Sequence, residues 1–220
     1  MSNLLLGLTF LVIGDSHLAT QRYLISTLHD SLLAQGAKVD SFGACGVPAG
    51  AWIAPREVSC GSAQRLGNGP VQENKTSSAR SWAVDQLIQQ IHPNVVVVEI
   101  GDTMAGYNQK ELPRAWISEN VGALTTRIRA NNVPCIWIGP SWGTEGGPYF
   151  KTYARVKEFS DYMKSILTTC TYIDSLAMAQ PGQWPTFDGQ HHTYAGYQQW
   201  GNAITAALNQ SAIIQSLEKH

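Results

Sequence analysis

A serine hydroxyl becomes a useful nucleophile when a base can take its proton, and the base acts best when a third group fixes its tautomer. The 220-residue chain carries candidates for all three parts, split between its two ends. Gly14-Asp15-Ser16-His17 closes an apolar run and stands immediately before a helical pattern. Ser16 would therefore sit beside helix N-terminal N–H groups, which favour developing negative charge. Near the other end, Asp188-Gly189-Gln190-His191-His192-Thr193 precedes a helical pattern that begins Ala195-Gly196-Tyr197. An aspartate three residues before a histidine on a turn can hold one ring nitrogen and leave the other for a serine proton. Each segment alone has a plainer reading: Ser16, Asp15 or Asp188 as a helix cap, and His191 as a surface residue. Taken together they predict acyl-transfer chemistry with Ser16 as nucleophile, His191 as base and Asp188 as orienter. His192 is the alternative base.

A rival serine lies in Gly139-Pro140-Ser141-Trp142-Gly143, which matches the Gly-x-Ser-x-Gly elbow of another hydrolase architecture. That elbow needs a helix directly after the serine, and Thr144-Glu145-Gly146-Gly147-Pro148 starts one poorly. Pro140 also restricts the sharp turn required. The segment is expected instead to form a cleft rim. His17 and His192 with Asp15 and Asp188 match no metal-ligand spacing, and no Cys-x-x-Cys occurs, so neither a metal nor another cofactor is expected. Of the four cysteines, Cys45 and Cys60 flank a loop and are candidates for a disulfide. Cys135, inside Pro134-Cys135-Ile136-Trp137-Ile138, reads as a small buried hydrophobe.

These groups need a frame to bring residue 16 to residue 191. Residues 8–14, 94–101 and 133–139 are short, apolar and rich in β-branched side chains, and residues 38–42 and 171–173 are weaker segments of the same kind. Near-continuous apolar runs signal strands covered on both faces, hence a parallel sheet. Helical patterns over residues 18–36, 78–92, 112–132, 149–167 and 195–216 alternate with them. The expected fold is a single α/β domain over residues 1–220. It is a three-layer α/β/α sandwich around a central, mainly parallel five-stranded sheet, of flavodoxin-like type. Residues 43–77, rich in Gly, Pro and Ser, are read as a long loop forming one wall of a cleft.

With that frame, the two end segments resemble the SGNH, or GDSL-type, hydrolase family. Its first block is a Gly-Asp-Ser after the first strand, and its last is an Asp-x-x-His before a small-Gly-aromatic helix start. The resemblance spans residues 8 to about 208. It implies an oxyanion hole formed by the N–H groups of Ser16 and Gly46 and by residue 103. The family has Gly-x-Asn-Asp where this chain has Gly101-Asp102-Thr103-Met104. Thr103 thus offers a rotatable hydroxyl in place of an amide, and losing such a donor typically costs about 10²–10³ in rate. Gly14-Asp15-Ser16-His17-Leu18-Ala19 is also similar to members acting on O-acetyl groups of bacterial cell-wall or extracellular polysaccharides. The resemblance implies an esterase removing acetyl groups from a carbohydrate. The alternatives are an O-acetyltransferase on the same fold and a catalytically weak polysaccharide-binding or assembly protein. Trp52, Trp142 and Trp184, among seven tryptophans, fall in expected loops and are candidate platforms for sugar rings.

Composition narrows the partners. A formal net charge of −1 and 14% charged residues give no footprint for nucleic acid. The apolar run of residues 4–13 is too short to span a bilayer and lacks a basic flank. The ending Leu217-Glu218-Lys219-His220 reads as the stub of an expression tag, with a signal peptide trimmed from the start. Low charge with many Gly, Ser, Thr, Gln and Trp favours a periplasmic or secreted location over a cytoplasmic one.

Overall fold

The computed structural model describes residues 5–218. The first residue of the apolar 4–13 run and the terminal Lys219 and His220 lie outside the described residues. The sheet is built from β1 (Thr9–Gly14), β2 (Lys38–Ala44), β3 (Ser62–Leu66), β4 (Gln72–Asn74), β5 (Val95–Glu99), β6 (Cys135–Ile138) and β7 (Thr171–Ile173), in the order β4-β3-β2-β1-β5-β6-β7. The five expected strands form its parallel part, β2-β1-β5-β6-β7.

The two further strands correct the five-stranded expectation. β3 and β4 add antiparallel to the β2 edge and come from within residues 43–77. Their sequences, Ser-Ala-Gln-Arg-Leu and Gln-Glu-Asn, are polar: β3, paired on both sides, buries only Ser62 and Ala63, and β4, the edge strand, buries none, so backbone pairing holds this end of the sheet more than a buried face does. Apolar periodicity therefore could not reveal them.

Two layers of helices cover the sheet: α1 (Leu24–Ala34) and α5 (Tyr194–Gln210) on one face, α2 (Val84–Ile91), α3 (Arg114–Ala130) and α4 (Tyr153–Ile166) on the other. A short α6 (Ala212–Leu217) follows. Alternate residues of each strand feed opposite cores. Leu11, Ile13, Val96, Val98 and Trp137 pack with Leu87, Ile117, Val121, Leu124 and Phe159. Phe10, Val12, Val95, Val97 and Ile136 pack with Leu24, Leu28, Tyr197, Trp200 and Ile204. Among the described residues, no helix is long and apolar enough to cross a membrane.

Helix limits differ from expectation where local bonding wins over pattern. The first helical pattern splits into a 3-10 turn, Ser16–Leu18, and α1, with Arg22 at φ +73° between them. Residues 78–83 are not helical, since Arg80 bridges to Glu57 in an extended stretch. The last pattern breaks at Ser211, whose side chain accepts the N–H of Ile214 and caps α6.

The strand order reverses direction from β1 outward: β2 lies to one side and β5 to the other. Carboxyl ends flanking such a switch point form the natural crevice of an open α/β sheet. Ser16 follows β1, and residues 101–107 follow β5.

Candidate active site

The turn after β1 is packed against the neighbouring strand. A Cβ at Gly43 would lie 2.1 Å from the Leu18 carbonyl, so only glycine lets β2 pass this close to the Ser16–Leu18 turn. Asp15 caps that turn by accepting the His17 N–H at 3.2 Å. The capping role read for either residue thus falls to Asp15, which leaves the Ser16 hydroxyl free of it.

At the far end, Asp188 folds its own turn. Its Oδ1 accepts the N–H groups of Gln190 (3.0 Å) and His191 (2.7 Å), while Oδ2 meets His191 Nδ1 at 2.7 Å. Gly189 at φ +90° supplies the bend. Thr193, capping α5 through the Gly196 N–H, then fixes where the turn hands over to helix. The free nitrogen of the ring, Nε2, lies 2.8 Å from Ser16 Oγ across 175 residues of sequence. The structure therefore brings Ser16, His191 and Asp188 into one hydrogen-bonded line. A carboxylate on Nδ1 selects the tautomer whose Nε2 lone pair can accept the serine proton.

The electrostatics agree with that arrangement. Burial raises the Asp188 pKa but is outweighed by the His191 N–H and imidazole, which hold the carboxyl below its usual value. Burial, and next the neighbouring His17, lower the His191 pKa, with Asp188 opposing in part. His191 is thereby kept neutral, as a base must be.

Ser16 and His191 open into a cleft of about 480 Å³. Gly46 lines the same cleft at φ +75°, a backbone conformation suited to glycine. Among the described residues no acceptor takes the N–H of Ser16 or of Gly46. Thr103 also lines the cleft, but its hydroxyl donates to Asp15 Oδ2 at 3.3 Å, as does the Gly101 N–H. The rotatable hydroxyl expected at residue 103 is thus engaged with Asp15 in this structure.

None of the three expected tryptophan platforms lines the cleft. Trp52 is fully buried and stacks on Trp82 at 6.0 Å. Trp184 is buried against Trp200 and His192. Trp142 donates its indole N–H to the Leu176 and Ala179 carbonyls, each at 2.9 Å. Loop position in sequence did not imply exposure: Trp142 satisfies its N–H at two carbonyls, whereas Trp52 and Trp184 are held by packing against other rings, Trp52 with its N–H unpartnered among the described residues. The aromatics that do line the cleft are Tyr107, Trp116, Tyr149 and Phe150, the last three exposed. Trp116 carried a usable signal, standing one position off the Ile117-Val121-Leu124-Ile128 stripe of α3. Tyr149 and Phe150 open the pattern expected over residues 149–167, but the helix begins only at Tyr153, capped by Thr152, so both stay in the preceding loop and line the cleft.

Ser141 is fully buried, and its hydroxyl lies 2.6 Å from His192 Nε2. His192 Nδ1 has no partner among the described residues, so no carboxylate orients this second pair. Burial, then the neighbouring His17 and Lys151, lower the His192 pKa to about 3. Asp15, His17 and Glu99 bring one potential ligand atom each within 4.8 Å of one another. Both His17 nitrogens are nevertheless engaged, with Tyr197 Oη at 2.8 Å and Asp102 Oδ2 at 2.9 Å. Glu99 is fully buried, and burial followed by the proximity of Asp15 and Asp102 raises its pKa well above the ordinary value.

Both cysteine pairs are bonded: Cys45–Cys60 on the cleft wall and Cys135–Cys170 in the core. The second corrects the reading of Cys135 as a lone hydrophobe. Its partner lies in a weakly patterned turn before β7, on the neighbouring strand, a proximity that only the topology supplies.

The chain is 40% identical over 208 residues to Protein BcsX of Komagataeibacter xylinus, a match covering 94% of this chain and 79% of that protein. No family model matches it. Among solved structures, the acetyl xylan esterase AlAXEase superposes with a TM-score of 0.60 at 12% identity, over 91% of this chain and 99% of that one. A GDSL-like lipase from Bacteroides thetaiotaomicron VPI-5482 superposes with a TM-score of 0.53 at 14% identity, over 95% and 88%. The fold is that of the SGNH/GDSL hydrolases.

Proposed function

Since the chain belongs to the family of Protein BcsX and has the SGNH/GDSL hydrolase fold, we propose that it is a serine-dependent carboxylic ester hydrolase that removes acyl groups, acetyl above all, from a carbohydrate or polysaccharide. One observation carries the reading: the hydrogen-bonded line Asp188–His191–Ser16 ends at a cleft. In the proposed cycle His191 takes the Ser16 proton as the hydroxyl attacks the ester carbonyl. The oxyanion rests on the N–H groups of Ser16 and Gly46, joined by Thr103 when its hydroxyl turns from Asp15. His191 returns the proton to the leaving alcohol. Water, activated by the same imidazole, then releases the acid.

The lining of the cleft supports a neutral sugar ester. Aromatic faces of Tyr107, Trp116, Tyr149 and Phe150 stand with the amides of Asn108, Gln109 and Gln190. Beyond His191, the one acid among its lining residues, Asp102, is paired with Lys151. Flat apolar faces with a few neutral donors and acceptors suit a pyranose better than an anion. An acetyl group fills a small part of about 480 Å³, leaving room for the ring that bears it. Two disulfides support an oxidising compartment, periplasmic or extracellular.

The test is hydrolysis of p-nitrophenyl acetate by wild type and Ser16→Ala, with the adduct of a fluorophosphonate located by mass spectrometry. Turnover lost in the variant and an adduct on Ser16 are expected. Equal rates, or an adduct on Ser141, would remove the assignment. Faster turnover of long acyl esters would move the substrate class to lipids, and acetyl delivered to an added sugar in preference to water would make the enzyme a transferase.

A further inference from the structure

Asp102 stands beside Thr103 on the loop after β5 and has no part in the proposed cycle, yet it is the most heavily engaged carboxylate of the cleft. Its Oδ1 accepts from Tyr107 Oη at 2.5 Å and Lys151 Nζ at 2.9 Å. Its Oδ2 accepts from the same Nζ at 2.9 Å and meets His17 Nε2 at 2.9 Å. The side chains of Asp102, His17 and Lys151 are at most 1% exposed. Each partner arrives from a different wall of the cleft. His17 follows Ser16, Tyr107 lies on the loop that carries Thr103, and Lys151 follows Tyr149 and Phe150 directly. Through its other nitrogen His17 reaches Tyr197 on α5, the helix that continues from the His191 turn. A single buried carboxylate thus refers four segments to one another.

We propose that Asp102 is a positioning residue, the shared anchor that sets the Ser16 turn, the Thr103 loop and the Tyr149–Phe150 wall at their working separations. The inference rests on the hydrolase reading above. Buried charge-assisted bonds are short and directional, and a displacement of about 1 Å at a reacting centre can cost about 10²-fold in rate. Lys151 balances the carboxylate charge, so the pair can be removed together without stranding a charge, whereas removing either partner alone strands the other.

The experiment compares Asp102→Asn, Lys151→Met and the double variant by thermal melting and by kcat and KM on p-nitrophenyl acetate, with Ser16→Ala as the reference for serine-dependent turnover. Both single variants are expected to melt early. The double variant is expected to regain most of the wild-type melting temperature while kcat stays lower by roughly 10–100-fold, with KM within about threefold. A purely structural pair would restore kcat together with the melt, and that result would overturn the proposal. Should the double variant not fold, Tyr107→Phe decides. It removes one anchor bond and no charge, and wild-type kcat in that variant would equally sink the idea. Wild-type protein without Ser16-dependent turnover would overturn the hydrolase reading and this inference with it, whereas serine-dependent turnover with a fully active double variant would remove this inference alone.

Discussion

Two Asp–His pairs lie close together in this molecule, and they differ in what surrounds them more than in what they are. Asp188–His191 meets at 2.7 Å and Asp102–His17 at 2.9 Å, with the two imidazole centroids 5.2 Å apart. Each imidazole gives its other nitrogen to a hydroxyl at 2.8 Å, that of Ser16 or of Tyr197. The first pair is partly exposed and its hydroxyl borders the cleft. The second is sealed, its carboxylate saturated by Lys151 and Tyr107 and its phenol fully buried. Carboxylate, imidazole and hydroxyl in line are therefore insufficient for chemistry. An opening to the cleft and unfilled N–H donors beside the hydroxyl are what the first trio has and the second lacks. The nearby Ser141–His192 pair lacks even the carboxylate.

The comparison breaks most readily at the imidazoles. His191→Ala is expected to lower kcat on p-nitrophenyl acetate by about 10⁴-fold or more, and Asp188→Asn by about 10³–10⁴-fold. His192→Gln, which leaves the cleft line untouched, should stay within about tenfold of wild type. Matching losses in the His191 and His192 variants would put the buried Ser141–His192 pair on the same footing as the line that opens to the cleft.

A smaller, graded effect should appear with pH. His191 acts as a base only when unprotonated, and burial, then His17, lower its pKa below the usual 6.5. The log of kcat/KM should therefore be level at neutral pH and fall by about one unit per pH unit below an inflection that lies under 6.5. An inflection above 6.5 would show the pull of Asp188 outweighing burial. Stability has the same sign. His29 and His192, with pKa values lowered chiefly by burial to about 4 and about 3, bind protons in the unfolded chain before they do so in the folded one. Their contribution to stability is present above the unfolded value of about 6.5 and is lost as pH falls from there toward those lower values. Circular dichroism recorded beside the rates separates loss of the base from loss of the fold.

The hydrogen-bonded line Ser16–His191–Asp188 was legible in the sequence because its signals are local: a serine at a strand end, and an aspartate and histidine sharing one turn. The five parallel strands were legible because both faces are buried, which forces unbroken apolar runs such as Val95-Val96-Val97-Val98. The sealed network was not. Asp102 and Lys151 are 49 residues apart, obey no period, and meet only because β5 and β6 are neighbours whose following loops converge. The cleft aromatics were misassigned because composition counts indoles without saying which face water. Trp116 could have been found by asking which large apolar residue falls off its helix stripe. The strands β3 and β4 left no trace in hydrophobicity, since they are held by backbone pairing and bury little more than Ser62 and Ala63.

The two disulfides offer the mildest version of the same contrast. Cys45–Cys60 borders the cleft, with Cys60 exposed and its Sγ 3.3 Å from where a Cβ on Gly46 would sit. Cys135–Cys170 is buried at the start of β6, at the end of the strand remote from Ser141 and the cleft. On chain entropy alone, sequence separations of 15 and 35 correspond to about 3 and about 4 kcal/mol of stability. The paired variant Cys135→Ser/Cys170→Ser should thus lose more melting temperature and keep kcat within about twofold. Cys45→Ser/Cys60→Ser should lose less stability but about three- to tenfold in kcat, because the loop presenting the Gly46 N–H is freed while its backbone bond from Cys45 N–H to the Gly61 carbonyl at 2.9 Å remains. If the core pair proved the more costly for turnover, Gly46 would not be the donor whose placement matters. The oxyanion site would then have to be sought on the Thr103 side of the cleft, where rotation of a single hydroxyl from Asp15 toward the substrate would carry the whole effect.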